Sequence, residues 1–254
     1  MKESVAFLFI KENSEYYPVG TGFWFTGCQG NKGKKTYLVT AKHILQEHKK
    51  IHIRINSTKK ESIFLDFDQK RTKVLIHRNP GVDIAFLPLS PPKDSECLIL
   101  NEGMIIDQNF EDKIGMIEGD NVYFVGMIPQ VYGAQKNTPV VRSGKIALVT
   151  DEPFEDEEGT SNYYYIDANC CDGNSGSPVF LKLATMNQYG MIEPSNTNVM
   201  LMGVLHGYLN EEREIQGKTK SRNLYFNDNI HIALVTKAKY LIDILTQEKK
   251  RYLK

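Results

Sequence analysis

The sequence predicts an all-β protein, either two packed barrels or a sandwich, with one helix at its C-terminal end. Three observations carry that prediction. Short apolar or alternating segments recur about every ten residues, separated by clusters of Gly, Asn, Asp, Pro or Lys. Twelve such segments are more than one open antiparallel sheet usually holds. Only one stretch, near the end, places its apolar residues at a helical period.

In chain order, Val5–Ile10 is a continuous apolar run, and Gly20–Phe25 and Thr36–Thr40 lie on either side of a Gly- and Lys-rich turn. Lys50–Ile55 alternates polar and apolar residues, and Lys73–His77 and Asp83–Leu89 flank the turn-forming Asn79-Pro80-Gly81. After Leu98–Gly119, which mixes polarity without a clean period and reads as the crossover between two halves, the same signature resumes. The strand candidates there are Asn121–Met127, Arg142–Thr150, Asn162–Ala168, Val179–Leu183, Val199–Leu205 and Ile230–Val235. From Thr236 to Tyr252, Ala238, Leu241, Ile242 and Leu245 fall at i, i+3, i+4 and i+7, with Thr236 as the expected N-cap. Lys249, Lys250, Arg251 and Lys254 then sit where they complement the helix dipole. Asp151–Glu158 carries six acidic residues and reads as a solvated loop.

Composition narrows the function. The 254 residues hold 31 Lys+Arg against 31 Asp+Glu, and so lack the basic excess that binding of nucleic-acid phosphates demands. With 41% hydrophobic and 24% charged residues the chain is an ordinary globular protein. Cys28, Cys97, Cys170 and Cys171 are too few for a disulfide scaffold of this size, and two are adjacent, so they read as reduced thiols. The apolar run at Val5–Ile10 is too short for a signal-peptide core or a membrane span. The expectation is a soluble, cytoplasmic protein without membrane attachment.

Three segments carry chemistry. Asp172-Gly173-Asn174-Ser175-Gly176-Ser177-Pro178-Val179-Phe180 sets a serine among turn-forming residues just before an apolar strand. Tyr37-Leu38-Val39-Thr40-Ala41-Lys42-His43 places a histidine just past a strand, and Val82-Asp83-Ile84-Ala85-Phe86-Leu87-Pro88-Leu89 an aspartate at the entrance of another. A serine hydroxyl is a poor nucleophile until a neighbouring imidazole removes its proton. His48, His52, His77 and His231 lie outside these segments without metal-ligand spacing, so no metal and no cofactor are expected.

In these pieces the chain resembles the trypsin-like serine peptidases, particularly the bacterial branch of HtrA/Deg proteases and glutamyl endopeptidases. The resemblance runs roughly from Gly20 to Leu209 through "GTGFWF", "YLVTAKH", "VDIAFLPL", "VYFVGMIP", "VRSGKIA", "DGNSGSPVF" and "LMGVLHG". His43, Asp83 and Ser175 stand in the family's chain order, 40 and 92 residues apart. The resemblance implies two six-stranded antiparallel β-barrels, the first over residues 3–112 and the second over 118–235, with the active site between them and a helix over 236–252. It also implies an endopeptidase acting on protein or peptide substrates, with Ser175 as nucleophile, His43 as general base and Asp83 orienting His43. The backbone N–H groups of Gly173 and Ser175 would form the oxyanion hole.

Departures from the family carry information too. Asn174 stands where digestive members have the Asp that pairs with a newly cut N-terminus, so activation by cleavage is not expected. By resemblance His206 falls in the strand that walls the primary pocket, where a histidine hydrogen-bonds an acidic or amide substrate side chain. The threonine of those relatives is here Cys170, a weak hydrogen bonder. Asn169 falls at the pocket floor, where relatives of basic specificity use Asp, and its lack of charge tilts the expectation toward Glu, Gln or Asp before the cut. The acidic run beside the cleft, or the long hairpin between Leu183 and Asn198, could dock a regulatory protein partner.

Two other classes compete. A catalytically idle binding module would have no chemical need for His43, Asp83 and Ser175 together. A non-peptidic acyl hydrolase would need glycine where Ser177 stands and a helix after it.

Overall fold

The computed structural model describes residues 1–28, 33–59, 61–156, 159–183, 199–215 and 224–252. The chain is built of strands in two halves. The first holds β1 (Val5–Glu12), β2 (Glu15–Cys28), β3 (Lys34–Thr40), α1 (Lys42–Glu47), β4 (Lys50–Ile55), β5 (Ile63–Asp68), β6 (Leu75–Ile76), β7 (Ala85–Leu87) and β8 (Leu100–Asn101). After α2 (Gln108–Ile114) the second half holds β9 (Asn121–Gly126), β10 (Val140–Leu148), β11 (Phe154–Asp156), β12 (Gly159–Ser161), β13 (Tyr163–Asp167), β14 (Pro178–Lys182), β15 (Val199–Ile215) and β16 (Leu224–Lys237). The helix α3 (Lys239–Tyr252) ends it.

Six strands of the second half close into an antiparallel barrel in the order β10-β13-β16-β15-β14-β9. The first half departs from the six strands expected. It is an eight-stranded sheet ordered β5-β4-β1-β2-β3-β7-β6, with β8 pairing β2, and no ladder joins its ends β5 and β6 among the described residues. The reason is length: β6 has two residues and β7 three, too short to carry pairing round to β5.

Three apolar clusters form the core among the described residues. One fills the first half around Trp24, Leu38, Ile53 and Leu87, and another fills the barrel around Phe124, Tyr164, Val179 and Val235. The third joins them, bringing Phe7, Phe23 and Phe86 against Val125, Met127, Phe180 and Val204. Leu241, Ile244 and Leu245 of α3 pack into it, each burial worth about 1.5–3 kcal/mol. The buried Arg54 guanidinium adds a polar tie: its Nε donates to Asn137 Oδ1 at 2.6 Å and its Nη2 to the carbonyls of Tyr132 and Gly133 at 2.9 Å. The segment after Met127 is thereby fixed against the first half.

Some boundaries differ from the sequence reading. Thr236 is no helix cap, because β16 continues through Lys237, pairing Thr236 with Tyr163 and with Val204. Leu98–Gly119 is structured, since Asp107 caps α2 by accepting from the Phe110 N–H and Gly115 ends it at φ 64°. The acidic run is partly a hairpin, β11 pairing β12; residues 157 and 158, like those of 184–198 in the long hairpin, lie outside the described residues. No helix among the described residues is long and apolar enough to cross a membrane.

Candidate active site

The site begins where β3 runs into α1. The helix has six residues, and its N-cap, Ala41, has no side chain able to accept the first free N–H groups. A distant carboxylate does so instead. The backbone N–H of His43 donates to Asp83 Oδ1 at 2.8 Å, and the ring Nδ1 of His43 lies 2.8 Å from Oδ2 of the same group. One carboxylate thus fixes both the backbone and the ring of His43.

Asp83 is carried inside by its neighbours. Val82, Ile84 and Ala85 are fully buried, and Asp83 itself is 1% exposed. The turn ahead of it is tied by Asn79, whose side-chain oxygen accepts from the Gly81 N–H at 3.0 Å and whose carbonyl accepts from the Val82 N–H. Asn79 Nδ2 donates to the Thr160 carbonyl at 2.7 Å, so the β11–β12 hairpin is docked on this turn. Burial alone would raise the Asp83 pKa, but hydrogen bonds from His206 and His43 and their charges outweigh it and hold the carboxyl far below the usual carboxylate range.

Ser175 sits in a turn whose glycines are structurally required. Gly176 has φ 82°, and a Cβ there would fall 2.1 Å from the Thr21 carbonyl oxygen. Its N–H donates to the Leu205 carbonyl, while the Ser175 carbonyl accepts from the Thr21 N–H at 2.9 Å. Gly173 has φ 84°, and its carbonyl accepts from Thr21 Oγ1 at 2.8 Å. Asn174, 2% exposed, accepts from the Cys171 N–H at 3.0 Å and donates through Nδ2 to the Met127 carbonyl at 2.6 Å. Neutral hydrogen bonds therefore hold the turn where digestive relatives use a charge pair.

The hydroxyl of Ser175 donates to the backbone carbonyl of His206 at 3.0 Å. The side chain of that same residue reaches Asp83, its Nδ1 2.7 Å from Oδ2. Residue 206 therefore links the two halves, holding Ser175 through its backbone carbonyl and Asp83, with His43, through its ring. His206 ring edges lie against His43, centroids 5.6 Å apart at 81°, and Tyr163 stands 5.4 Å away on the other side.

The three pocket residues expected from the sequence have the following surroundings. The His206 ring turns to Asp83. The β15–β16 register shifts between Leu205 and Gly207, so His206 is the bulged residue, while Leu205 beside it is buried in the barrel. Cys170 is packed into the barrel core, and burial pushes its thiol up to about 12. Asn169 is exposed, its carbonyl held by the Arg142 guanidinium.

His43, Asp83 and His206 are also the group, among the described residues, whose nitrogen and carboxylate atoms lie close enough to hold a metal ion, all within 4.8 Å. Both Nδ1 atoms and Oδ2 are already committed to one another there, so an ion would displace those hydrogen bonds. Tyr208, on β15 beyond the site, donates to Asp172 Oδ1 at 2.9 Å; burial and that hydrogen bond raise its pKa.

A closed antiparallel barrel joined to a second β half, with a histidine paired to a buried carboxylate and a serine hydroxyl bound to the carbonyl of residue 206, defines the class of chymotrypsin-fold proteins. The family model of the trypsin-like peptidase domain matches residues 20–185, and the chain belongs to that family. In structure it is similar to the MamO protease domain from Magnetospirillum magneticum, with a TM-score of 0.53, 16% identity and 95% of each chain covered. It is also similar to Rv3671c from M. tuberculosis in its Ser343Ala inactive form, with a TM-score of 0.48, 15% identity and 97% and 87% of the two chains covered. No curated protein matches it by sequence.

Proposed function

We propose that the protein is a serine endopeptidase in which Ser175 attacks, His43 moves the proton and Asp83 orients His43. The observation that carries this reading is the double grip of Asp83 on His43, through backbone N–H and ring Nδ1 at 2.8 Å each. A scaffold has no use for it, whereas a general base needs its proton fixed on Nδ1 so that the Nε2 lone pair faces the nucleophile.

In that reaction the Ser175 hydroxyl leaves the His206 carbonyl and gives its proton to His43 Nε2 as Oγ bonds to the substrate carbonyl carbon. Negative charge builds on the carbonyl oxygen, and the Gly173 and Ser175 N–H groups stabilise it. The imidazolium returns its proton to the departing amine, leaving an acyl group on Ser175. Water, deprotonated by His43, releases it.

Within the family, Asn174 in "GNSGSP" supports the HtrA/Deg and glutamyl-endopeptidase branch. The cysteine content supports a reducing, cytoplasmic setting. Substrates are folded or unfolded proteins that reach the cleft, and a regulatory partner would meet the site through the β11–β12 hairpin docked beside Asp83.

A fluorophosphonate probe tests the reading. Ser175 should be labelled in the wild type and unlabelled in His43→Ala, and either Ser175→Ala or His43→Ala should lower kcat by roughly 10⁴- to 10⁶-fold. A folded wild type that takes no label and cleaves nothing in a peptide library would count against this reading and favour the idle binding module.

A further inference from the structure

We propose that His206 is a positioning residue of the reaction, a second histidine that clamps the carboxylate of Asp83 on behalf of His43. The inference rests on the peptidase reading and deepens it. Three N–H groups converge on Asp83: the backbone N–H of His43 on Oδ1, and the ring Nδ1 atoms of His43 and His206 together on Oδ2, at 2.8, 2.8 and 2.7 Å. The carboxylate is 1% exposed, so water does not compete for these sites. With the two bonds from His43 alone, both donors lie on one helix turn, and the carboxylate and α1 can move together. The third donor comes from β15 in the other half, and it fixes the pair against the half that carries Ser175.

Residue 206 is suited to this because it makes two contacts at once. Its carbonyl receives the Ser175 hydroxyl at 3.0 Å and its ring receives the Asp83 oxygen at 2.7 Å. A single residue therefore sets the distance between nucleophile and carboxylate. The bulge at Leu205/Gly207 makes this possible, since it turns the His206 ring to the cleft while Leu205 stays in the barrel core.

The shared oxygen also dictates tautomers. For Oδ2 to accept from both rings, each neutral imidazole must carry its proton on Nδ1. In His43 that leaves Nε2 as the acceptor that catalysis needs. The His206 ring gives up its own donor to the carboxylate, and no contact links that ring to Ser175 Oγ among those described. It acts through Asp83.

The test compares His206→Leu, which removes the donor, with His206→Asn, whose side-chain amide N–H stands near the position of Nδ1. In His206→Leu, kcat should fall by roughly 10- to 100-fold, as expected for a slight misplacement of the base, while KM stays within about threefold. His206→Asn should regain most of the loss. Independently of turnover, proton NMR of Ser175→Ala protein with ¹⁵N-labelled histidine should show two strongly downfield ring N–H signals. Both should vanish in Asp83→Asn, and one in His206→Leu. If the wild type takes the fluorophosphonate label but His206→Leu matches it in kcat, or if only one N–H signal depends on Asp83, the positioning role is overturned alone. A folded wild type without label or turnover overturns the peptidase reading, and the kinetic role of His206 with it.

Discussion

The side-chain amide of Asn174 donates to the Met127 carbonyl at 2.6 Å, tying the turn before the nucleophile to the end of β9. Its oxygen meanwhile accepts from the Cys171 N–H, so both ends of the amide are used in a pocket that leaves it 2% exposed. Only a group that donates and accepts fits there. Asn174→Asp should therefore turn an oxygen toward the Met127 carbonyl and destabilise the fold by about 2–3 kcal/mol. Chemical denaturation measures the loss, and on the proposed mechanism kcat should drop with it because the turn that carries Ser175 loosens.

Thr21 is the matching tie from the first half. Its buried hydroxyl donates to the Gly173 carbonyl at 2.8 Å and accepts from the Met127 N–H at 2.9 Å. Thr21→Val keeps the shape and strands both partners, so a loss of about 2–4 kcal/mol is expected in urea unfolding. Thr21→Ser should retain most of the stability.

Acid should weaken the protein through Asp83. Its folded-state pKa is depressed, so the unfolded chain binds this proton more readily than the folded chain. The stabilisation is present above the ordinary carboxylate range near pH 4 and is lost as pH falls through the folded value. Thermal unfolding followed from pH 6 to pH 2 should show Tm falling in the wild type. In Asp83→Asn the slope should be shallower, with a lower Tm at neutral pH.

Gly81 touches the β11–β12 hairpin so closely that a Cβ would come 2.7 Å from the Thr160 carbonyl oxygen. Gly81→Ala should push that hairpin away from the turn that carries Asp83. Limited proteolysis should then cut the hairpin faster, and the proposed peptidase activity should fall while Ser175 remains in place.

Cys170 offers a check on the placement of the segment before the nucleophile. Buried at 2% exposure, with its thiol pushed up to about 12, it should resist iodoacetamide in the native protein and react fully after unfolding. Peptide mapping of the alkylated cysteines reads this directly, and rapid native labelling of Cys170 would contradict the packing described.

Much of the architecture was legible because alternation and apolar runs report burial locally. The strands around Phe23, Val39, Phe124 and Val235 all bury the residues their patterns mark. The segment Ile63–Asp68 escaped notice because both its faces carry partly exposed residues, Phe64 among them, which blurs the alternation. Helix α1 is too short to show a period, although it carries His43. Helix α2 did leave a signal in Asp107 and Gly115, the residues that begin and end it. The contact of His206 with Asp83 was not legible, because motif spacing assumes regular alternation and a bulge changes which way a side chain points without changing any letter. The capping of α1 by Asp83 was equally hidden, being a contact between residues 40 positions apart.

The backbone around Ser175 is gripped from both ends of the chain, by Thr21 and by Leu205. On a ribosome, His43 and Asp83 emerge long before residue 206, and the barrel strand that supports residue 206 ends only at Lys237. Between residue 175 and residue 206 a growing chain carries its serine with neither the carbonyl that holds the hydroxyl nor the ring that steadies the carboxylate. A chain stalled between those two residues would carry the serine without either partner, so the arrangement around it waits for β15 to be made.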